Sequence, residues 1–428
     1  MSKTLGKIFL GLYFFAFTIP QNIKGLYYVF DRISIQVLFI SVLNLFLILY
    51  IIRGLNFVSF FENIKYKKHF LSYFVVLVFS LISLINADNL IEGLIFLSRY
   101  FSMFTAFILI IYLVYITKIN FIKLFFSFMI LSLIAETVYI NYSVFDKVIS
   151  DGQLLTRSME NRGFAGNINI SSFSLALKIP VVIYLLFKEK KYLNQILLVL
   201  LLFFSVLSIL LLFSRAAIIV VFFIIVLSLI YYLVKEKRKV LLNSLLLSLS
   251  IIISFSTYNL LNEKNSYDLI EDRFSKVTQP TEDDSIAQRL LFYKIAFEDI
   301  KSAPLFGIGI GNWKLKSIQR ANEILRDYTI PYVVHNDFLE IGAETGLISL
   351  ICYAYFLIFP FMISLKRSLS TKNNNLSFLI FSFLAIYLFD SSVNFPMHRV
   401  ITTMNLLFIL ALFYVITDNK NYESEKYF

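Results

Sequence analysis

The feature that most limits this chain is a recurrence. Runs of about 20 apolar residues, the length of helix that crosses the hydrocarbon of a bilayer, follow one another with only short polar punctuation. Twelve such runs are legible, at roughly 7–20, 33–52, 69–87, 92–116, 121–140, 170–187, 194–213, 215–234, 240–257, 337–365, 376–393 and 401–417. With 58% hydrophobic and 16% charged residues in 428, no water-soluble arrangement hides so much apolar surface. The pattern predicts an all-α integral membrane protein of about twelve transmembrane helices. Residues 1–257 carry nine spans, 258–334 form a long extracytoplasmic loop, and 335–428 carry three spans and a short tail. The first run follows Lys3 and Lys7 as a signal peptide would, but no small-x-small cleavage site comes after it, so it reads as a span.

Basic residues orient the bundle. With the N terminus in the cytoplasm, the inner loops and tails hold twenty of the 39 Lys and Arg, the short outer loops seven and the large loop ten, leaving only Arg99 and Lys178 within spans. The positive-inside rule therefore predicts cytoplasmic termini and a 258–334 segment on the far face, periplasmic in a Gram-negative cell. The formal charge of +11 then belongs to topology, and a nucleic-acid partner drops out. Cys352 is the one cysteine and has no disulfide partner within the chain.

The large loop sets its ten basic residues against eleven acidic ones and reads as a solvated domain. Residues 284–302 predict an amphipathic helix capped at Asp284 or Ser285, with Ile286, Leu290, Tyr293, Phe297 and Ile300 as its apolar stripe against the membrane-facing side. PLFGIGIGNW (304–313) then turns the chain, and a second helix is expected over 313–328. No internal repeat and no inverted pair of interrupted spans is visible.

Several residues are candidates for chemistry. His335 stands where the loop returns to the membrane, and an imidazole at a water–membrane boundary suits a general base or is simply satisfied by solvent and backbone. Asp337 caps the following helix, with Glu340 and Glu344 at i, i+4 on one face, placed either to orient His335 or to form a local hydrogen-bond network. Arg215 lies between two long apolar runs, where a phosphate is a good partner for its planar guanidinium and snorkelling to headgroups is the blander reading. Arg289, on the loop helix, taken alone reads as a solvated-face arginine. Arg99 and Lys178 read as path-lining groups or paired charges. Arg162 and Asn169 open the sixth span from the outer side, and His398 and Arg399 open the twelfth, so they are placed to complete a basic cup.

Familiar motifs are missing. The glycines at 307, 309 and 311 do not fit a dinucleotide fingerprint, there is no Walker A or HExxH sequence, and His69 and His398 lack ligand-spaced neighbours. No cofactor and no metal is expected, and the energy for any reaction must arrive in the substrate.

Together, RLLFYKIAFEDIKSAPLFGIGIGNW (289–313), HNDFLEIGAETGLISL (335–350), SRAA (214–217) and GNINISS (166–172) resemble the signature of the O-antigen ligase and O-antigen polymerase superfamily. The resemblance covers the span plan with its long loop before the tenth span; in the N-terminal half it rests on hydropathy alone. At 348–350 the chain has Ile-Ser-Leu where the family often carries a further glycine. The resemblance implies transfer of a glycan from undecaprenyl diphosphate, at the outer face of the bacterial inner membrane, to an acceptor hydroxyl. That acceptor is a lipid A–core sugar, a growing glycan or a protein Ser or Thr. It implies that His335 is the general base and that Arg215 and Arg289 face the diphosphate, in an inverting transfer needing neither ATP nor metal. A polymerase of the same superfamily and a non-enzymatic transporter or flippase for a lipid-linked sugar remain the alternative readings, the latter with Arg99 and Lys178 along its path; a non-catalytic scaffold is the blandest.

Overall fold

The computed structural model describes residues 3–18, 32–52, 60, 62, 64–151, 163–235, 240–262, 284–325, 331–370 and 374–418. Ten helices among them are long and apolar enough to cross a membrane, making this an all-helical multi-pass membrane protein. The first two apolar runs fall on the helices Lys3–Thr18 and Arg32–Ile51. Only an apolar stretch of 10–17 residues, Ile35–Ile51, stands out in the second, so the described residues support ten spans where the sequence predicts twelve.

Burial separates the centre of the bundle from its rim. The segments Ile168–Lys188 and Val400–Thr417 are each 94% buried and Asn375–Val393 is 72% buried, whereas Leu241–Leu261 reaches 28%. The outer helices turn large side chains such as Phe46, Phe222, Leu245 and Ile351 outward. In lipid that exposure is favourable, since the bilayer replaces water as the solvent for those faces.

Two expected spans are interrupted, and each break has a local cause. Ile168–Lys188 is built from Ile168–Ala176 and Ile179–Lys188, with Pro180 in the first turn of the second piece. A proline there has no N–H to continue the preceding helix. Lys178 sits in the break with its ammonium 2.7 Å from Glu136, and Ser174 accepts from it through both backbone and side-chain oxygens at 2.9 Å. The expected 337–365 span is likewise two helices, Asp337–Thr345 outside the membrane set and Leu347–Ser368 within it, hinged at Gly346. Gly346 adopts φ +91, and a Cβ there would stand 2.2 Å from the carbonyl oxygen of Leu305. Only glycine fits such a crossing.

The loop helices form as Asp284–Ser302 and Trp313–Leu325. Of the stripe read from the sequence, Leu290 and Phe297 are 54% and 52% exposed; the buried face is formed by Phe292, Ile295, Ala296 and Ile300, of which only Ile300 belongs to that stripe. Those four pack with Ile308, Trp313, Val334 and Ala343 into a small core of their own. The helix turns this side to its neighbours in the cap. Asp299 and Arg320 tie the two loop helices together at 2.9 Å.

The opposite end of the bundle is held by basic groups. Lys65 donates to the Thr417 carbonyl, Lys235 to that of Ser370 and Arg367 to that of Ile416. Cations are favoured at these C-terminal carbonyls by the helix dipole.

Candidate functional site

The glycine-rich turn positions the site. It is gripped from both sides: Ile308 and Gly309 donate to the carbonyls of Ala343 and Glu344, at 2.9 and 3.0 Å, while Asn86 reaches the Gly307 carbonyl and Asn312 the backbone N–H of Asn89. Gly307 has φ +65, and a Cβ would lie 2.2 Å from the Glu344 carbonyl carbon. Glu344 closes the arrangement, accepting from the N–H groups of Gly311 and Trp313 at 2.8 and 3.1 Å. The motif thus serves close backbone packing, and Glu344 serves the turn rather than His335.

Helix Asp337–Thr345 starts at this same end, and its cap is Asn336 rather than the expected Asp337: the Asn336 side chain accepts from Leu339 N–H at 3.0 Å, while Asp337 is the first helical residue. Glu340 in its first turn does two things at once. One carboxylate oxygen accepts from Val334 N–H at 2.8 Å and the other meets His398 Nε2 at 2.7 Å, both side chains being buried. Asp337 accepts from the Tyr353 hydroxyl and from Met397 N–H, each at 3.2 Å. The three carboxylates therefore brace the backbone around the site.

His335 itself adopts φ +62, one of three non-glycine residues with positive φ among those described; another is Phe213, two residues before Arg215. Such conformations persist where surrounding contacts over-determine them. Here the contacts are the Tyr293 hydroxyl, which donates to the His335 carbonyl at 3.0 Å and is 3.3 Å from that of Ser392, and Asn336, whose amide also donates to Ser392 O. The imidazole meets the Phe395 ring edge-on at 5.0 Å, and its buried Nδ1 has no hydrogen-bond partner among the described residues.

Burial drives the His335 pKa down to about 4, helped by the charge of Arg289 and opposed by Glu340. The ring is neutral at pH 7. For His398, burial also pulls downward, but the Glu340 carboxylate overrides it and the pKa is raised. Asp337 is pushed up to about 7, chiefly by burial. Burial raises Glu344 too, with Glu340 adding to the effect.

Of the residues singled out in the sequence, His335, Asp337, Glu340, Glu344 and His398 come together, and Arg289 lies within electrostatic reach of the imidazole. Arg399 lies over the Phe395 ring, 5.0 Å from its centroid. Arg215 begins the helix whose other terminus, Lys235, bonds Ser370 at the opposite end, so about 30 Å of helix puts Arg215 at the His335 end. Its neighbour Ser214 donates to Asn169 at 2.9 Å, joining those two segments. Arg162 lies outside the described residues. Lys178 is no path-lining group, since it is fully buried and paired with Glu136. Among the described residues, no three His, Cys, Asp or Glu side chains are grouped to hold a metal ion.

Sequence reasoning missed two features. Tyr293 sits one helical turn after Arg289, a spacing that announces a shared face, but its hydroxyl is the part that matters. The Glu340–His398 pair joins residues far apart in the chain and left no local signal.

Part of the chain that carries these residues is similar to known proteins. Residues 199–354 match the family described as O-antigen ligase. The chain is also 30% identical over 118 residues to the exopolysaccharide production protein ExoQ of Rhizobium meliloti (strain 1021), a stretch covering 27% of this chain and 26% of that protein. The chain thus spans about a quarter of the curated relative it matches. The stretch that is similar to the O-antigen ligase family, residues 199–354, carries Arg215, Arg289 and His335.

Proposed function

We propose that the protein transfers a glycan from undecaprenyl diphosphate to an acceptor hydroxyl in the manner of an O-antigen ligase, the acceptor being a lipid A–core sugar or a protein Ser or Thr. The observation that carries this reading is His335: a neutral imidazole with a buried, unbonded Nδ1 and the charge of Arg289 beside it. The imidazole takes the proton of the acceptor hydroxyl as that oxygen attacks the anomeric carbon with inversion. The bond from that carbon to the diphosphate oxygen breaks, and its electron pair leaves with the diphosphate. Arg289 and Arg215 offset the charge that develops there, an electrostatic contribution favoured by a partly dry site. The sugar–diphosphate bond supplies the energy, so the step as written draws on neither ATP nor a metal. The basic loops favour cytoplasmic termini in a bacterial inner membrane, which puts His335 on the periplasmic face.

A second reading, extension of a growing glycan by a polymerase, is favoured by the Rhizobium meliloti relative, an exopolysaccharide production protein. The test is transfer by purified protein given lipid-linked glycan and acceptor without ATP. His335→Ala is expected to lose at least about 100-fold, the usual contribution of a general base. Transfer persisting in that variant would sink the proposal. In cells, loss of a ligase leaves lipid-linked polymer unattached, whereas loss of a polymerase leaves single repeats on the acceptor.

A further inference from the structure

One of the three histidines has no part in the site. His69, near the start of the membrane-spanning helix Lys67–Ser83, is fully buried, and both of its ring nitrogens are engaged. Nδ1 is 2.7 Å from the Tyr414 hydroxyl, and Nε2 is 2.8 Å from the carbonyl oxygen of Phe356. That carbonyl belongs to the helix Leu347–Ser368, which has Pro360 in its interior. In an α-helix the N–H of each residue bonds the carbonyl four residues before it, so the regular donor to Phe356 would come from position 360. Proline has no N–H, and its ring also crowds the carbonyl one turn back. A buried carbonyl left without a donor is costly, above all in a membrane, where water cannot replace the missing group. The side chain that reaches this carbonyl comes from the neighbouring helix, and it is His69.

We infer that His69 stands in for the amide that Pro360 lacks, and that this latch fixes the bend of Leu347–Ser368 against Lys67–Ser83. Hydrogen-bonding capacity sets the tautomer. A carbonyl oxygen only accepts, so Nε2 carries a proton, and the Tyr414 hydroxyl then donates to Nδ1. Stacking holds the ring in place: the imidazole lies 4.6 Å from the Phe356 ring at an interplanar angle of 11°, and Tyr73, one turn further along the same helix, stacks on Phe356 at 4.9 Å. The consequence lies at the other end of these two helices. There Ser83 accepts from Ile310 N–H at 3.0 Å, and Leu347 N–H donates to the Pro304 carbonyl at 2.8 Å, so both helices grip the turn that contains Gly307. With the latch made, the two helices form one frame under that turn. It is a property of the bundle, whichever reaction the site performs.

The test is a double-mutant cycle on full-length protein in detergent, read by thermal unfolding. His69→Phe keeps an aromatic ring and removes both nitrogens, and it is expected to lower Tm by about 4 °C. Pro360→Ala returns an N–H to the helix, so in that background His69→Phe is expected to cost no more than about half as much, the remainder being the bond from Tyr414. An equal loss in the two backgrounds overturns the inference. A second measurement needs no variant of His69: NMR of protein carrying isotope-labelled histidine, in which only three rings contribute. Spectra of His335→Ala and His398→Gln assign two of them and leave the His69 signals by elimination. A proton on Nε2 is expected. A ring protonated on Nδ1 alone could not donate to Phe356 and overturns the inference.

Discussion

Replacing Tyr293 by phenylalanine deletes one hydroxyl and keeps the ring. That hydroxyl donates to the His335 carbonyl at 3.0 Å and approaches the Ser392 carbonyl at 3.3 Å. A left-handed backbone at an L-residue lies about 1–2 kcal/mol above its ordinary conformations, and His335 holds φ +62. A hydrogen bond contributes about 1 kcal/mol net, and a partly buried acceptor left without its donor costs about 1–3 kcal/mol. Losing the hydroxyl therefore removes a stabilisation of the same size as the strain it counters, and the productive His335 backbone ceases to dominate. A loss of about 1.4 kcal/mol in that equilibrium is tenfold in rate, so kcat is expected to fall about tenfold with little change in KM for the lipid-linked donor. The assay is steady-state transfer at saturating acceptor, paired with thermal unfolding in detergent. A Tm shift of no more than about 2–4 °C per kcal/mol is expected. An unchanged kcat would refute the clamp, and a rise in KM with kcat intact would assign Tyr293 to substrate binding.

Four further outcomes follow from the site and the bundle. Transfer requires neutral His335, whose pKa burial lowers to about 4, so kcat/KM is expected to be level above about pH 5 and to fall as acid protonates the ring; an acid limb near 6.5 would contradict this. On the alkaline side, the raised pKa of His398 means that its ion pair with Glu340 is fully present below the ordinary histidine value of about 6.5 and is lost as pH rises through the folded value, so thermal stability measured against pH should decline there. Gly307→Ala forces a Cβ to 2.2 Å from the Glu344 carbonyl carbon at φ +65, so expression of folded protein, read by gel filtration, is expected to collapse. Lys178→Met leaves the buried Glu136 carboxylate unpaired and should destabilise by about 3–5 kcal/mol, whereas Lys178→Met with Glu136→Gln recovers much of it; equal losses in single and double variants would refute the pairing.

What was legible in the sequence follows from the range of each signal. Apolar runs and helix caps are local, so the membrane segments from residue 67 onward and the loop helices appear close to where they were read. The breaks were partly legible as well, because Pro180 and Gly346 stand in the sequence, but an apolar run hides a break when only its hydrophobicity is followed. The stripe on Asp284–Ser302 matches the buried face only at Ile300, for a tertiary reason: the protein partner is the cap around Trp313 and Val334, and periodicity cannot say which partner a helix has. The site divides in the same way. His335 was visible because histidine is rare here and stood at a boundary. The double engagement of Glu340, and the diversion of Glu344 to the glycine turn, depend on segments that meet only after folding.

The Lys178–Glu136 pair also bears on how such a chain reaches its membrane. Each charge lies within an otherwise apolar segment, and a lone Lys or Asp at a helix centre raises the free energy of insertion by about 2.5–3.5 kcal/mol. The helix bearing Glu136 leaves the ribosome first and meets its counter-ion only after the proline-broken segment has followed it. Its stable residence in lipid therefore waits on a later part of the same polypeptide, and truncation between the two segments should yield a nascent chain that the insertion machinery releases or holds at its lateral gate.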